Sequence, residues 1–165
     1  MRYPLFSVVL SLGLLALTAV PVSAQGMGFR GWGPRLGVQS NPDQGFVGAQ
    51  FNFGEFASHV RFQPNIELGF GDDHTILSTT VPAFYRFEKP ASFTPYVGGG
   101  VTALLDRHDS PGKGDDTNVE VGIRVVGGIE WPLKGGNAFF LELTGGFGDI
   151  PEVQFLAGWN FLSQI

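Results

Sequence analysis

The residues of this sequence with the clearest catalytic potential are a histidine and a serine two positions apart, in His108-Asp109-Ser110. A histidine can act as general base for a serine nucleophile when a third group orients the imidazole. Glu120 is the plausible acidic partner for such a pair. The pair lies in a Gly- and Asp-rich loop, which is a poor support for a preorganised site. We therefore favour a solvated loop and expect no catalytic residue here.

Two acidic segments and one glycine run are the other candidates for ligand binding. Hard cations prefer clustered carboxylates, but Asp72-Asp73-His74 and Asp115-Asp116 lack the ligand spacing of a known loop and are better explained as acidic turns. Gly98-Gly99-Gly100 lies inside a predicted strand with no helix after it, so a phosphate-binding loop fails its structural context. The chain has no cysteine, which excludes disulfides and thiolate metal sites. We expect neither a metal nor another cofactor.

An alternation of apolar and polar residues with a period of two runs from about residue 32 to the C-terminal end. In residues 60–70 every even position is apolar or proline, and every odd position is Arg, Gln, Asn, Glu or Gly. Alternate residues of a strand face opposite sides of a sheet. Since little else in the chain could cover so many apolar faces, the pattern predicts a β-barrel whose apolar surface faces lipid.

The sequence predicts an all-β fold, an eight-stranded antiparallel up-and-down transmembrane β-barrel. The expected strands are about 31–40, 46–53, 60–70, 75–88, 94–106, 117–131, 137–148 and 152–162. These lengths suit tilted membrane strands, and closure leaves no unpaired backbone in lipid. Pro64 and Pro82 donate no ladder hydrogen bond, so we expect a bulge or irregularity at each. The longest loop is expected at 107–116.

A cleavable signal peptide is expected before the barrel. Arg2 supplies a positive charge, Leu5 to Val20 form an apolar stretch, and Val22-Ser23-Ala24 is a small-residue cleavage site. The alternative, one transmembrane helix, needs roughly 20 apolar residues, and the stretch is shorter. We therefore divide the chain into a signal peptide, 1–24, and one barrel domain, 25–165. The net charge of −5 also argues against nucleic-acid binding, which requires Lys and Arg at phosphates.

Charged side chains of the strands are expected to point into the barrel. An eight-stranded barrel is just wide enough for side chains to fill it, and unpaired charges there would be costly. We therefore expect Arg–Glu pairs that plug the lumen, with a small gated pore as the alternative, and one mid-depth cluster of Arg35, Arg124 and Glu142. The whole inward set is Arg35, Arg61, Glu67, Arg86, Glu88, Glu120, Arg124, Glu130, Glu142 and Glu152.

Outward aromatic residues gather at one predicted end of the strands. If the chain starts at the periplasmic side, this end forms an aromatic belt at the lipid–water interface. Phe70 and Phe147 are the chief aromatics of the opposite rim. The alternative is the aromatic core of a soluble sandwich. The predicted belt consists of Trp32, Phe53, Tyr85, Phe87, Trp131, Phe139, Trp159 and Phe161.

The export signal, the eight alternating segments, the run Phe93 to Gly100 and the aromatic-rich last strand resemble the small eight-stranded outer-membrane barrel family of OmpA and OmpX type. That resemblance implies a bacterial outer-membrane location, contact with outer-membrane lipids and with the insertion machinery, and a monomer. Members of the family often end in Phe, whereas this chain ends in Ile165 with Phe161 displaced.

We expect a non-enzymatic membrane barrel with a structural or surface-interaction role. Three alternatives remain open: a narrow channel for ions or small solutes, a lipid-modifying outer-membrane enzyme that uses Ser110, and a soluble barrel with a ligand cavity. The soluble barrel would need the apolar residues inside and the charges outside.

Overall fold

A computed structural model describes residues 27–71, 74–87, 92–108 and 116–162. The signal peptide, the Asp72-Asp73 pair, Glu88 and Ser110 lie outside these described residues. The described strands are β1 (Gly31–Ser40), β2 (Gln44–Asn52), β3 (Glu55–Ala57), β4 (Val60–Phe62), β5 (Asn65–Gly71), β6 (His74–Arg86), β7 (Thr94–His108), β8 (Asp116–Pro132), β9 (Ala138–Gly148) and β10 (Val153–Leu162). A short 3-10 turn, Lys134–Gly136, precedes β9.

The strands close into an antiparallel barrel. Each strand pairs with its neighbour, β6 pairs with β7, and β1 pairs with β10 to close the sheet. The short strands β3 and β4 continue β2 and β5, so β2–β3 and β4–β5 each act as one strand of the wall. The barrel therefore has eight strands, which confirms the predicted all-β, closed, eight-stranded antiparallel barrel.

The two prolines within the strands interrupt the ladder without shifting its register. Phe62 pairs with Ala83 and Asn65 pairs with Thr80, which is the same register on either side of the gap. Pro64 and Pro82 both lie within this gap and neither can donate a ladder hydrogen bond. The Gln63 backbone N–H still donates to the Pro82 carbonyl at 3.4 Å. The irregularity expected here is thus a local break and not an inserted residue.

The β7–β8 hairpin is longer than predicted. Its ladder continues to the pair His108 and Asp116, so the expected loop at 107–116 is wrong at both ends. The ladder between β8 and β9 stops earlier, at Gly122 and Gly148. Residues 116–121 therefore extend β8 beyond the end of β9, while β7 continues beside β8 to His108 and β6 continues beside β7 to His74.

The two faces of the wall differ as the alternation requires. On the outside, Val121 is 59% exposed and Phe147 is 63% exposed, whereas inside, Gln50 and Thr102 are completely buried. Apolar side chains outside and polar ones inside are the reverse of a soluble barrel. Within the described ranges, no helix has the length and apolar character to cross a membrane.

Candidate functional site: the barrel lumen

Four charged residues from four strands meet at mid-depth of the lumen. Arg35 on β1 contacts Glu67 on β5 (Nε to Oε1, 3.0 Å) and Glu142 on β9 (Nη2 to Oε2, 3.0 Å). Arg124 on β8 donates through Nη1 to Glu67 Oε2 at 3.1 Å. All four side chains are about 97% buried, and their formal charges cancel. This balance matters because an uncompensated charge in this position would be strongly destabilising.

Neutral polar side chains extend the mid-depth cluster toward the loop end. Gln154 donates to Glu67 at 3.3 Å and to Gln39 at 2.9 Å, and Gln39 donates to Gln44 at 3.2 Å. Ser78 donates a long bond, 3.4 Å, to Glu67. Most buried polar groups are therefore joined in one network, as buried polar atoms require.

Two side-chain nitrogens of Arg124 have no hydrogen-bond partner among the described residues. Its Nε and Nη2 are buried, and neither has a hydrogen-bond acceptor among the described residues. Arg35 Nε contacts Glu67 without the alignment of a hydrogen bond. Buried donors of this kind are usually satisfied by ordered water, so we expect water molecules at these nitrogens in the centre of the lumen.

A second charged cluster lies nearer the end at which the chain enters β1. Glu130 accepts from Arg61 Nη1 at 2.8 Å, from Arg86 Nη2 at 3.0 Å and from Asn160 at 3.0 Å. The guanidinium of Arg61 also lies 5.8 Å from the ring centre of Tyr96. The Tyr96 hydroxyl donates to Glu142 at 2.8 Å, so Tyr96 links the two charged clusters.

Apolar side chains fill the space between and beyond the charged clusters. They form three groups in the lumen, and the sequence analysis did not identify them as lumen residues. The alternation itself was the available signal, because Phe84, Phe140 and Leu156 occupy the same inward positions as the charges. The three groups are Phe84, Tyr96 and Val126; Phe46, Phe140 and Leu156; and Ile76, Leu104 and Ile150.

Ile150 closes the loop end of the described lumen. It belongs to the β9–β10 turn, is only 6% exposed, and packs on Ile76 and Leu104. Two glycines of the wall leave room for the Ile150 side chain, and we call this space the glycine seat. A β-carbon on Gly122 would lie 2.7 Å from Ile150 Cγ1, and one on Gly146 would lie 3.0 Å from the same atom. The turn is thus folded into the barrel mouth because the facing wall has no side chains there.

The nine predicted inward charges that lie within the described residues separate into two clusters and two outliers. Arg35, Glu67, Arg124 and Glu142 form the mid-depth cluster, and Arg61, Arg86 and Glu130 form the second. The prediction for Glu152 is wrong: it lies on the turn before β10, is exposed, and accepts from Asn41 at 3.1 Å. A residue outside the ladder is not bound by the alternation of the strand.

Glu120 is the second outlier. It lies in the extension of β8 beyond β9, and no ion pair joins it to an arginine of either cluster. Its surroundings are acidic: partial burial, and then the nearby carboxylates of Asp106 and Asp149, raise the pKa of Glu120 above its ordinary value of 4.5. Glu120 is therefore an acidic group near other carboxylates, and it belongs to neither charged cluster of the lumen.

Seven of the eight aromatic residues of the predicted belt contact another member of that set. Phe139 links Trp131 and Trp159 at ring-centre distances of 5.9 Å and 5.3 Å. Trp32 and Phe161 are paired at 6.0 Å, and Tyr85 and Phe87 at 5.2 Å. Further rings join the set: Phe29 and Phe62 contact Phe53, and Phe93 contacts Trp131.

The described residues contain no group of three or more His, Cys, Asp or Glu side chains able to hold a metal. The His108-Asp109-Ser110 motif cannot be placed as a site, because Ser110 lies outside the described residues.

Comparison with known proteins identifies the fold. No protein-family model and no curated sequence matches the chain. Among solved structures, the N-terminal β-barrel domain of Pseudomonas aeruginosa OprF has a TM-score of 0.66 at 15% identity, over 84% of this chain and all of that chain. Neisserial surface protein A has a TM-score of 0.67 at 14% identity, over 82% of this chain and 97% of that chain. Ail of Yersinia pestis has a TM-score of 0.55 at 11% identity, over 81% of this chain and 94% of that chain.

These neighbours are small eight-stranded outer-membrane barrels, and this chain has the same closed barrel. The fold that this chain shares with them is therefore the small, closed, eight-stranded antiparallel β-barrel. At these identities, the likeness carries the architecture alone.

Proposed function

We propose that the chain is a non-enzymatic integral protein of the bacterial outer membrane, delivered by a cleaved signal peptide, whose barrel is a closed membrane element with a structural or surface-interaction role. The observation that carries this proposal is the lumen, which two charged clusters and three apolar groups fill. Apolar side chains on the outside of the wall supply the surface that lipid requires.

The aromatic end supports a defined orientation. Large outward aromatics gather where membrane barrels meet the lipid–water interface. Placed at the periplasmic side, they leave the long β7–β8 hairpin and the Ile150 turn outside the cell. The surface role would then belong to these outer segments, with outer-membrane lipids and the insertion machinery as partners and a monomer as the working unit.

A closed lumen argues against a channel. A passing ion would have to part the Arg35–Glu142 and Arg61–Glu130 pairs and displace Ile150 from its apolar seat. Each buried pair is costly to break on one side. The channel alternative therefore needs a rearrangement of the lumen. The enzyme alternative needs Ser110 and gains no support from the described residues.

The test uses the mature chain refolded in detergent. Closed barrels resist unfolding at room temperature and migrate differently on gels before and after boiling, so we expect a heat-modifiable band. In planar bilayers we expect no discrete conductance steps from the wild type, and the double variant Ile150→Gly/Arg35→Ala serves as the deliberately opened control. Regular steps from the wild type would overturn the closed-element proposal in favour of the channel. The lipids of cells that express the protein are analysed as well. A lipid profile that changes with the wild type but not with the Ser110→Ala variant would overturn the non-enzymatic assignment.

A further inference from the structure

A cleft opens into the barrel at the aromatic end, on the opposite side of the lumen from Ile150. Its volume is about 570 Å³, within the range of small-molecule sites. The charged side chains of its lining are Arg30, Arg61, Arg86, Glu55 and Glu130. Of the described charged residues that line the cleft, three are arginines and two are glutamates.

The two inner charges of the cleft are already committed to each other. Arg61 is 7% exposed and bonded to Glu130 at 2.8 Å, and Asn160 takes a further position on Glu130. This pair is a fixed floor and leaves Glu130 with little capacity for more donors. An arriving ligand must therefore be recognised by the outer residues of the cleft.

Arg86 is the outer residue with an incompletely used guanidinium. Its Nη2 is held by Glu130 at 3.0 Å, which fixes the plane of the group. Its Nη1 lies 3.6 Å from Glu55 Oε1, which is too long for a hydrogen bond, and the two side chains are 32% and 41% exposed. Glu55 thus marks a carboxylate position beside Arg86, and its other oxygen accepts from the His59 backbone N–H at 3.2 Å.

We propose that this cleft binds an oxyanion, a carboxylate or phosphate group, on Arg86 Nη1 with Arg30 as the second cation. A guanidinium held by one carboxylate presents its remaining N–H groups in a fixed geometry that suits a second oxyanion. The ligand takes the place that Glu55 occupies at 3.6 Å. Because the cleft is larger than a phosphate ion, the natural ligand is a small anionic molecule or a phospholipid headgroup, and both sources share this chemistry.

Inorganic phosphate is the probe that tests the site. It is titrated into the refolded barrel in an alkyl-glucoside detergent, which has no phosphate of its own, and the Nε–Hε resonances of the arginines are followed by NMR. We expect a saturable shift at Arg86 and Arg30, and none at Arg35 in the middle of the lumen. The absence of a saturable shift at Arg86 in the wild type would overturn the proposal.

Three variants identify the residues responsible. Arg86→Gln should weaken phosphate binding by about tenfold or more, as expected for loss of a hydrogen bond to a charged group. Glu55→Gln should strengthen it, because the competing carboxylate is removed. Lys134→Gln is the matched control, since it removes one positive charge at the same end of the barrel without lining the cleft. Equal weakening by Lys134→Gln and Arg86→Gln would reduce the effect to general electrostatics and contradict the site.

The gel shift checks that each variant folds, and Arg30→Gln gives an independent test should Arg86→Gln fail to refold. Nanodiscs then separate the two sources. If a headgroup is the ligand, the Arg86 resonance shifts in phosphatidylglycerol nanodiscs without added phosphate, and phosphate no longer titrates. If a free anion is the ligand, the titration is the same in nanodiscs and detergent.

Discussion

The side chain of Ile150 occupies space that a β-carbon on Gly122 would need, because Ile150 Cγ1 lies only 2.7 Å from where that β-carbon would be. A residue of a turn is thereby buried inside a barrel, against a wall position that has no side chain. The seal at the loop end depends on this pairing of a bulky turn residue with a glycine of the wall.

Filling the glycine seat should loosen the seal. Gly122→Ala places a methyl group against Ile150 and the Phe147 carbonyl, and we expect a loss of about 1–3 kcal/mol in the free energy of unfolding, as for other overpacked sites. Gly127→Ala is the control, because a β-carbon there meets nothing within 4 Å. Urea titration followed by tryptophan fluorescence measures both. Equal effects of the two variants would show that Gly122 is not a seat.

Glu67 is the residue on which the mid-depth cluster depends, because it contacts both Arg35 and Arg124. Glu67→Gln leaves a buried excess of positive charge, and we expect a loss of about 3–5 kcal/mol, the usual cost of breaking a buried pair. Glu152→Gln, on the exposed turn, should change stability by less than about 0.5 kcal/mol. A Glu67→Gln barrel as stable as wild type would mean that the pairs contribute nothing to the fold.

The acidic surroundings of Glu120 predict a pH dependence. Its pKa is raised in the folded barrel, so its ionised form is less favourable in the folded than in the unfolded state. This group therefore costs stability above its folded pKa, and that cost disappears as the pH falls below its ordinary value of 4.5. Glu120→Gln should raise the unfolding temperature in detergent at neutral pH. The gain should vanish at acid pH, and a gain independent of pH would refute the electrostatic cause.

Trp32, Trp131 and Trp159 should report one depth in a bilayer, because all three belong to the aromatic end. In single-tryptophan variants, quenchers placed near the lipid headgroups should be more effective than quenchers at the bilayer centre, and similarly so for each residue. A tryptophan quenched best at the bilayer centre would contradict the proposed interface position.

Arg124 predicts internal water. Its Nε and Nη2 need acceptors that the described protein does not supply, so an experimental structure should show ordered water at both atoms. Arg124→Met, which keeps much of the length but removes the donors, should eliminate that density while Arg35 and Glu142 stay paired. A dry, well-resolved Arg124 would contradict this prediction.

Much of the wall could be predicted from the sequence because a strand has a strict period of two. That period places Arg35, Arg61 and Glu142 inside and Val121 and Phe147 outside once the strands are recognised. It says nothing about which inward residues meet across the lumen, since that depends on the stagger of distant strands. The central position of Glu67 between two arginines was therefore not foreseen.

The failures lie where the alternation stops or is masked. Glu152 and Ile150 lie in a turn. Glu152 points outward although a strand pattern would place it inside, and Ile150 points inward although a polar loop would leave it exposed. Phe84 and Phe140 occupy alternate strand positions that face the lumen, but they are as hydrophobic as the residues on the outside of the wall. Only packing against Tyr96 and Leu156 shows that the lumen needs apolar filling as well as charge.

The uneven placement of aromatic rings has a consequence for biogenesis. In the proposed orientation, the rim that must traverse the bilayer carries few large rings, chiefly Phe70 and Phe147, while the tryptophans stay on the side from which the chain arrives. Interfacial anchoring can then precede translocation. The barrel would then be tethered at its trailing edge before its leading edge crosses, and the asymmetry of the wall would set the direction of entry.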